Sequence, residues 1–416
     1  MSTTLSLAVN GSRLLETIDQ LAHIGRLPNG GVRRLSFSPE DQQARRQVSA
    51  WMQATGMTVR TDPAGNLIGR YPGSQPHLPA LATGSHIDTV PSGGRYDGCY
   101  GVLAGIEIVR TLAEQQLQLR HPLEVIVFSD EENSLIGSQA MSGTLNPDPN
   151  YYRRPDGTSI QTCLQRVGGN WDQIHQARRH PQELAAFVEL HIEQGPVLES
   201  AQASIGIVTG IVGQRRYRIV IEGRANHAGT TPMNLRQDAL VTAAHVILRV
   251  HDLGSRPGDQ VATVGSVQVF PNAANVVPGR VELSLDARDL DSHHLDALLQ
   301  ELAQHLDHLA QQRRTPIDRE LTLHTQPAPA HPQIQTVIAS VCQDLSLPAI
   351  FLPSRASHDA QELARITPMG MIFVPSHAGI SHDETEYTTP LDCIRGANVL
   401  LHTLLRLDQN PPPPLT

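Results

Sequence analysis

The hydrophobic positions of this chain recur in two rhythms. Residues 11–24 (GSRLLETIDQLAHI) place apolar side chains at helical spacing, as do Leu103, Ile106, Val109 and Leu112. Four short apolar runs punctuate the rest: 79–88 (PALATGSHID), 123–132 (LEVIVFSDEE), 186–195 (AFVELHIEQG) and 368–376 (PMGMIFVPS). Each run passes into polar residues at its C-terminal end. Strands alternating with helices predict an α/β sheet, with a site beyond the carboxyl ends of the strands.

The middle of the chain has a shorter period. In RRYRIVIEG (215–223) Tyr217, Ile219 and Ile221 alternate with polar neighbours, and Val281, Leu283 and Leu285 do so in GRVELSLDAR (279–288). A period of two predicts strands with one covered face. Amphipathic helices are predicted over 236–253 and 293–314, the second with Leu295, Leu298, Leu299, Leu302, Leu306 and Leu309 on one stripe. A smaller α+β domain of one sheet and two helices is therefore expected at 214–328, inserted into a larger domain formed by 1–213 and 329–416. Pro327, Pro329 and Pro332 mark its exit, and the closing NPPPPLT reads as a loose end.

Bulk properties narrow the choices. A length of 416 residues favours two domains, and 39% hydrophobic with 18% charged residues describes a folded globular chain. The net charge is −9 and no long basic block is present, which argues against nucleic-acid or anionic-membrane partners. No apolar run reaches the roughly 20 residues of a membrane span. MSTTLSLAVNGSRLLETIDQ has no basic segment leading into an apolar core, so no signal peptide is expected and a cytoplasmic location is predicted. Cys99, Cys163, Cys342 and Cys393 are widely spaced, which fits a reducing compartment rather than a disulfide framework or a cysteine zinc site.

The strand ends carry the candidate chemistry. GSHIDTVPSGGRYDG (84–98) holds His86, Asp88 and Asp97 among glycines; Glu131 and Glu132 end the second run, His191 and Glu193 the third, and His382 follows the fourth. Any one of these groups alone reads as a polar loop. Together, imidazoles and carboxylates suit zinc, manganese, cobalt or nickel. A carboxylate bridges two cations where an imidazole normally does not, so the set suggests two divalent ions sharing Asp97. Adjacent glutamates beyond a strand point in different directions, so one can ligate while the other handles protons.

The stretches GSHIDTVPSGGRYDG, SDEE (129–132), VELHIEQGPVLE (188–199), GIVGQRRY (210–217), NHAGTTPM (226–233), NVVPG (275–279), LDAR (285–288), SHDA (357–360) and GISH (379–382) resemble the bimetallic amidohydrolases. That family includes N-carbamoyl-L-amino acid hydrolase, allantoate amidohydrolase and yeast-type β-ureidopropionase, within the superfamily of aminoacylase-like and carboxypeptidase-like metallohydrolases. The resemblance spans residues 84–382. It implies a dinuclear zinc exopeptidase-like catalytic domain, a central mixed sheet flanked by helices, and an inserted lid and dimerisation domain in a homodimer. It also implies one ion held by His86, Asp97 and His191 and a second held by Asp97, Glu132 and His382. Asp88 would accept from the His86 ring, and Glu131 would be the general base. His227 would stabilise the oxyanion, often in a partner's site. Asn275 and Arg288 would hold a substrate carboxylate, with Arg215, Gln194 and His358 as further contacts. Other readings are open for two of these: an ion pair with Asp286 or Asp289 for Arg288, and a structural strand-end role for His358.

One departure stands out. Family members commonly continue Gly-Ser-Arg-Phe after the two glutamates, whereas this chain reads EENSLIGSQAMSG (131–143). The shortened segment is expected beside the ions, where it would reshape the substrate pocket. The reading that follows is hydrolysis of a carbamoyl or ureido C–N bond in a small carboxylate substrate: an N-carbamoyl-L-amino acid first, allantoate or ureidoglycolate second. An aminoacylase or dipeptidase is a further alternative, disfavoured by His191 where those relatives usually have a carboxylate. A retired, non-catalytic scaffold would lack a ligand or the base, and none is missing.

Overall fold

The computed structural model describes residues 7–415; residues 1–6, where the stretch read as lacking a signal peptide begins, and Thr416 at the end of the proline tail lie outside the described residues. The chain forms two compact units, Met1–Gly210 with Pro329–Thr416, and Ile211–Ala328.

The larger unit opens with α1 (Gly11–Ala22), α2 (Pro39–Ala54) and the hairpin β1 (Thr58–Thr61) and β2 (Leu67–Tyr71). It continues through β3 (Ala80–His86), α3 (Cys99–Glu114), β4 (Leu123–Phe128), α4 (Ile136–Ser142), α5 (Ile160–Arg166), β5 (Leu184–Ile192), α6 (Val197–Ser200) and β6 (Ile205–Ile211). The intervening unit holds β7 (Gly213–Glu222), β8 (Asn226–His227), α7 (Ala239–Gly254), β9 (Val261–Phe270), β10 (Val276–Val277), β11 (Arg280–Asp289), α8 (Ser292–Arg313) and β12 (Ile317–Thr325). The chain then completes the larger unit with β13 (Ala328–Pro329), α9 (Pro332–Asp344), β14 (Ala349–Ser354), α10 (Asp359–Leu363), β15 (Met369–Val374) and α11 (Pro390–Gln409).

The large sheet has the order β1-β2-β4-β3-β5-β15-β6-β13, with β14 also paired to β6. It is mixed: β3 runs parallel to β4 and β5, and β15 parallel to β5, while β2 and β6 are antiparallel to their neighbours β4 and β15. Every residue of β3, β4 and β15 is buried, because helices cover both faces; such strands read as continuous apolar runs. The parallel register sets His86 beside Phe128 and His191 beside Phe373, so the loops that follow these strands leave the sheet at one end.

The inserted unit is a four-stranded antiparallel sheet, β12-β7-β11-β9, under α7 and α8. Burial along β11 alternates strictly; Val281, Leu283 and Leu285 join Ile219, Ile221 and the buried leucines of α8 in one core. Asp238 caps α7 by accepting from the backbone N–H of Leu240 and Val241, which starts that helix at Ala239 rather than 236. Its counterpart Asp291 caps α8 at His293 and His294.

Candidate metal centre

Two histidines are presented to one another by the backbone. His86, at the end of β3, directs Nδ1 to the main-chain carbonyl of Asp88 at 3.0 Å, and His191, in β5, directs Nδ1 to the carbonyl of Ile192 at 2.9 Å. A carbonyl only accepts, so each ring donates from Nδ1 and turns Nε2 inward. Asp97 meets them with one carboxylate oxygen: Oδ1 lies 3.2 Å from His191 Nε2 and 3.6 Å from His86 Nε2. Its other oxygen faces a second group, with Oδ2 at 3.2 Å from His382 Nε2, and that same nitrogen is 3.5 Å from Glu132 Oε2. Asp97 is thus shared between two three-residue donor sets, one at each oxygen.

The spacing fits a cation. Two ligand atoms each about 2.1 Å from a tetrahedral ion lie about 3.4 Å apart, the range seen in both sets. The electrostatics fit as well. Burial raises Glu131 well above the usual carboxyl range, helped by Asp359 and Glu132, and burial with the nearby Asp97 pushes Glu132 up to about 7. Burial also opposes ionisation of Asp97, but the bonds from His191, His382 and His86 outweigh it and hold its carboxyl well below normal. His382 is raised to about 9, chiefly by its bond to Asp97. Crowded carboxyl groups that draw protons onto neighbouring imidazoles call for positive charge, which a bound divalent ion supplies.

Gly98 makes the first group possible. Its φ is +64°, and a Cβ there would fall 2.4 Å from His86 Nε2. The glycine after Asp97 therefore gives both the left-handed turn and the room for the ring. Asp88 accepts from the His86 ring through its main-chain carbonyl, while its carboxylate Oδ1 is 3.7 Å from His86 Nδ1. The other oxygen accepts from Ser36 Oγ at 2.6 Å and from Glu132 N at 3.3 Å, tying the His86 loop to the Glu132 loop. Glu131 Oε2 is 3.6 Å from His86 Nε2.

Gln194 also reaches the centre: its Nε2 donates to Asp97 Oδ2 at 3.0 Å and to Ser381 Oγ at 3.3 Å. Glu193 instead accepts from the backbone N–H groups of Val197 and Leu198 and so caps α6. His358 is buried, its ring centroid 4.5 Å from that of His191, with Nε2 at 2.9 Å from Ser354 Oγ. His377 is exposed and pairs with Glu199. Sequence reasoning missed Glu189, a buried carboxylate that accepts from Ser85 Oγ and Ala360 N behind His191, and Asp130, which ends the apolar run in SDEE. Asp130 has φ +59°, its carbonyl accepts from Ser134 N and Leu135 N, and its carboxylate pairs with Arg154 at 2.6 Å, so it shapes the shortened turn after Glu132.

The remaining four candidates belong to the inserted unit. His227 is exposed in β8, which pairs with β10, and Ala228 N donates to the Asn275 carbonyl at 2.9 Å, so NHAG and NVVPG lie side by side. Nδ1 of His227 accepts from Gly229 N and Thr230 N at 3.1 and 3.2 Å, which puts its ring proton on Nε2, away from the loop. Arg236 fixes this loop through the carbonyls of Ala228 and Thr231. Arg288 and Arg215 lie on opposite faces of the sheet. Arg288, on the open face, pairs with Asp286 at 2.8 Å; Arg215, buried on the helix face, donates to the Thr325 carbonyl at 2.8 Å and is 3.4 Å from Asp296. Among the described residues no helix is long and apolar enough to cross a membrane.

The sequence matches peptidase family M20/M25/M40 over residues 82–406. It is 41% identical to the N-carbamoyl-L-amino acid amidohydrolase of Geobacillus stearothermophilus, covering 96% of this chain and 99% of that one. It is 36% identical to the allantoate amidohydrolase of Bacillus subtilis, over 95% and 97%. A solved structure of an amidase of the hydantoinase/carbamoylase family from Burkholderia multivorans superposes with a TM-score of 0.90 at 36% identity, covering 98% of this chain and all of that one.

Proposed function

Because the chain belongs to peptidase family M20/M25/M40 and, within it, to the amidohydrolases of the carbamoylase and allantoate type, we propose that it hydrolyses an N-carbamoyl-L-amino acid on two divalent cations. One cation is assigned to His86, Asp97 and His191, the other to Asp97, Glu132 and His382. The observation that carries this reading is the division of Asp97, one oxygen facing each donor set. Bound there, divalent cations supply Lewis acidity for the carbonyl and acidify a water.

Glu131 takes a proton from the attacking water and delivers it to the departing nitrogen; its buried, upshifted carboxyl suits a group that must hold a proton between the two steps. His227, with its proton on Nε2, is assigned to the developing oxyanion. Asn275 and Arg288 are assigned to the substrate carboxylate, which Arg288 meets by exchanging its Asp286 partner, and Gln194 and His358 to further substrate contacts, whereas Arg215, buried on the face opposite Arg288, is withdrawn from that role. The balance is R–NH–CO–NH2 plus water giving R–NH2, CO2 and ammonia.

Allantoate is the second reading, favoured by the 36% identity to an allantoate amidohydrolase and by GQRRY. The turn shaped by Asp130 replaces the usual Gly-Ser-Arg-Phe and is proposed to set side-chain preference. A homodimer through the inserted unit is also proposed: β9 is an edge strand, and α7, which packs on it, exposes Leu240, Val241 and Leu248. Sedimentation at a mass of one chain would remove that proposal.

The deciding experiment measures ammonia and amino-acid release after metal-stripped protein is reloaded with Mn, Zn, Co or Ni. The panel is N-carbamoyl-L-amino acids, N-carbamoyl-β-alanine, allantoate, ureidoglycolate, N-acetyl amino acids and dipeptides. Turnover of N-carbamoyl-L-amino acids is expected; turnover confined to the acetyl or peptide set would overturn the reading.

A further inference from the structure

Glu386 lies four residues beyond His382 and takes no part in either donor set, yet it is 5% exposed. Its Oε1 accepts from the main-chain N–H of Tyr96 at 3.1 Å and of Asp97 at 3.2 Å. Its Oε2 accepts from Ser381 Oγ at 2.9 Å. Ser381 immediately precedes His382, and its hydroxyl also accepts from Gln194 Nε2, which donates in turn to Asp97 Oδ2. A closed polar ring results: Asp97 main chain, Glu386, Ser381, Gln194, Asp97 carboxylate. The ring surrounds one side of the centre only. His86 and His191 are oriented by carbonyls of their own strand ends and meet the ring only at the Asp97 carboxylate.

The loop that bears Asp97 is shaped to admit this carboxylate. A Cβ at Gly94 would fall 2.1 Å from Glu386 Oε1 and 2.5 Å from its Cβ. The first glycine pair of SGGRYDG therefore makes room for a side chain nearly three hundred residues away, just as Gly98 makes room for His86. His382 needs such support more than His86 and His191 do: its side chain is half exposed, its backbone has φ +58°, and it lies in a loop rather than at a strand end.

We propose that Glu386 is a positioning residue that builds the second cation position, by holding the Asp97 loop and the His382 loop at one fixed separation. The inference rests on the two-cation reading above. Bonds beyond the ligands typically govern metal affinity by about 10–100-fold, and here that effect falls on one position of the two. The alanine variant releases Ser381 and two backbone N–H groups together. The glutamine variant keeps an oxygen for the N–H pair and turns its amide to Ser381 Oγ as a donor, so it retains the ring without the charge.

The test is titration of cobalt(II) into metal-stripped full-length protein, followed by calorimetry and by visible absorption, with melting curves for every variant. Wild type is expected to take up two equivalents. E386A is expected to keep the first and bind the second about 10–100-fold more weakly, with E386Q recovering at least half of that loss on a logarithmic scale. G94A displaces the same carboxylate from the opposite loop and is expected to reproduce the E386A pattern, so it decides the matter if E386A does not fold. Two equivalents at wild-type affinity in E386A and G94A would overturn the proposal, as would equal weakening of both positions. Uptake of a single equivalent by wild type would overturn the two-cation reading itself, and the proposal with it.

Discussion

The two units treat their functional side chains in opposite ways. In the larger one, His86 and His191 are buried at the ends of interior strands and Asp97 in the loop that leads into α3, and each is fixed by bonds to backbone or to another buried group. In the inserted one, His227 and Asn275 stand exposed on a two-residue ladder, and Arg288 rests in a partly exposed ion pair. Cation binding tolerates errors of a few tenths of an ångström and demands rigid donors. Substrate capture needs groups that can change partners, and a surface ion pair costs little to exchange.

That contrast can be broken by measurement. The largest effect is expected for Glu131→Gln: metal content unchanged, turnover lower by about 10²–10⁴-fold. A rate within tenfold of wild type would take the base role away from Glu131. Next comes His382→Ala, which should leave one tightly bound cation where wild type has two, read by elemental analysis after dialysis; a retained stoichiometry of two would dismiss His382 as a ligand. Gly98→Ala should cost about 1–2 kcal/mol from the left-handed backbone alone, with further loss from the collision with His86, seen as a lower melting temperature and a weakened first cation. The inserted unit should respond in turnover and not in metal content. His227→Ala and Arg288→Ala chains, each inactive, should regain partial activity when mixed if the unit serves a partner's site, and confirmed mixed dimers without recovery would exclude sharing. The smallest effect belongs to Asp238→Ala, which removes the cap of α7 at about 1 kcal/mol and should leave cation affinity untouched.

Much of this arrangement was legible in the chain. The interior strands announced themselves because burial on both faces forces continuous apolar runs, and His86, Glu131, Glu132 and His191 lie at or just past the ends of those runs. The sheet of the insertion was legible at β7 and β11, whose burial alternates, and not at its edges: β9 and β12 are exposed along most of their length and carry no clear period. Helix α2 hides for another reason, since two of its five buried residues are Asp41 and Arg45, a charged pair inside an otherwise apolar stripe. In the site, motif and chemistry singled out residues that the structure brings together in two groups. They could not locate Glu386 or Glu189, whose carboxylates accept from backbone N–H groups far away in sequence, or Asp130, whose carboxylate pairs with the side chain of Arg154. Nor could they show that the Asp88 carboxylate serves Glu132 rather than the His86 ring, because two acceptors on one residue look alike in a string of letters.

The strand order has a consequence for how the molecule is made. β15 lies between β5 and β6, yet it is synthesised after the whole insertion. A nascent chain that has emerged through residue 328 therefore has β5 and β6 with the strand between them still missing, and it lacks His382 entirely. Its interior faces a gap lined by unpaired apolar edges of the kind that recruits other chains. The inserted sheet is complete by then and can fold first, while the larger unit must wait on the ribosome for residues 329–416, and the grouping of Asp97, Glu132 and His382 cannot assemble before they arrive.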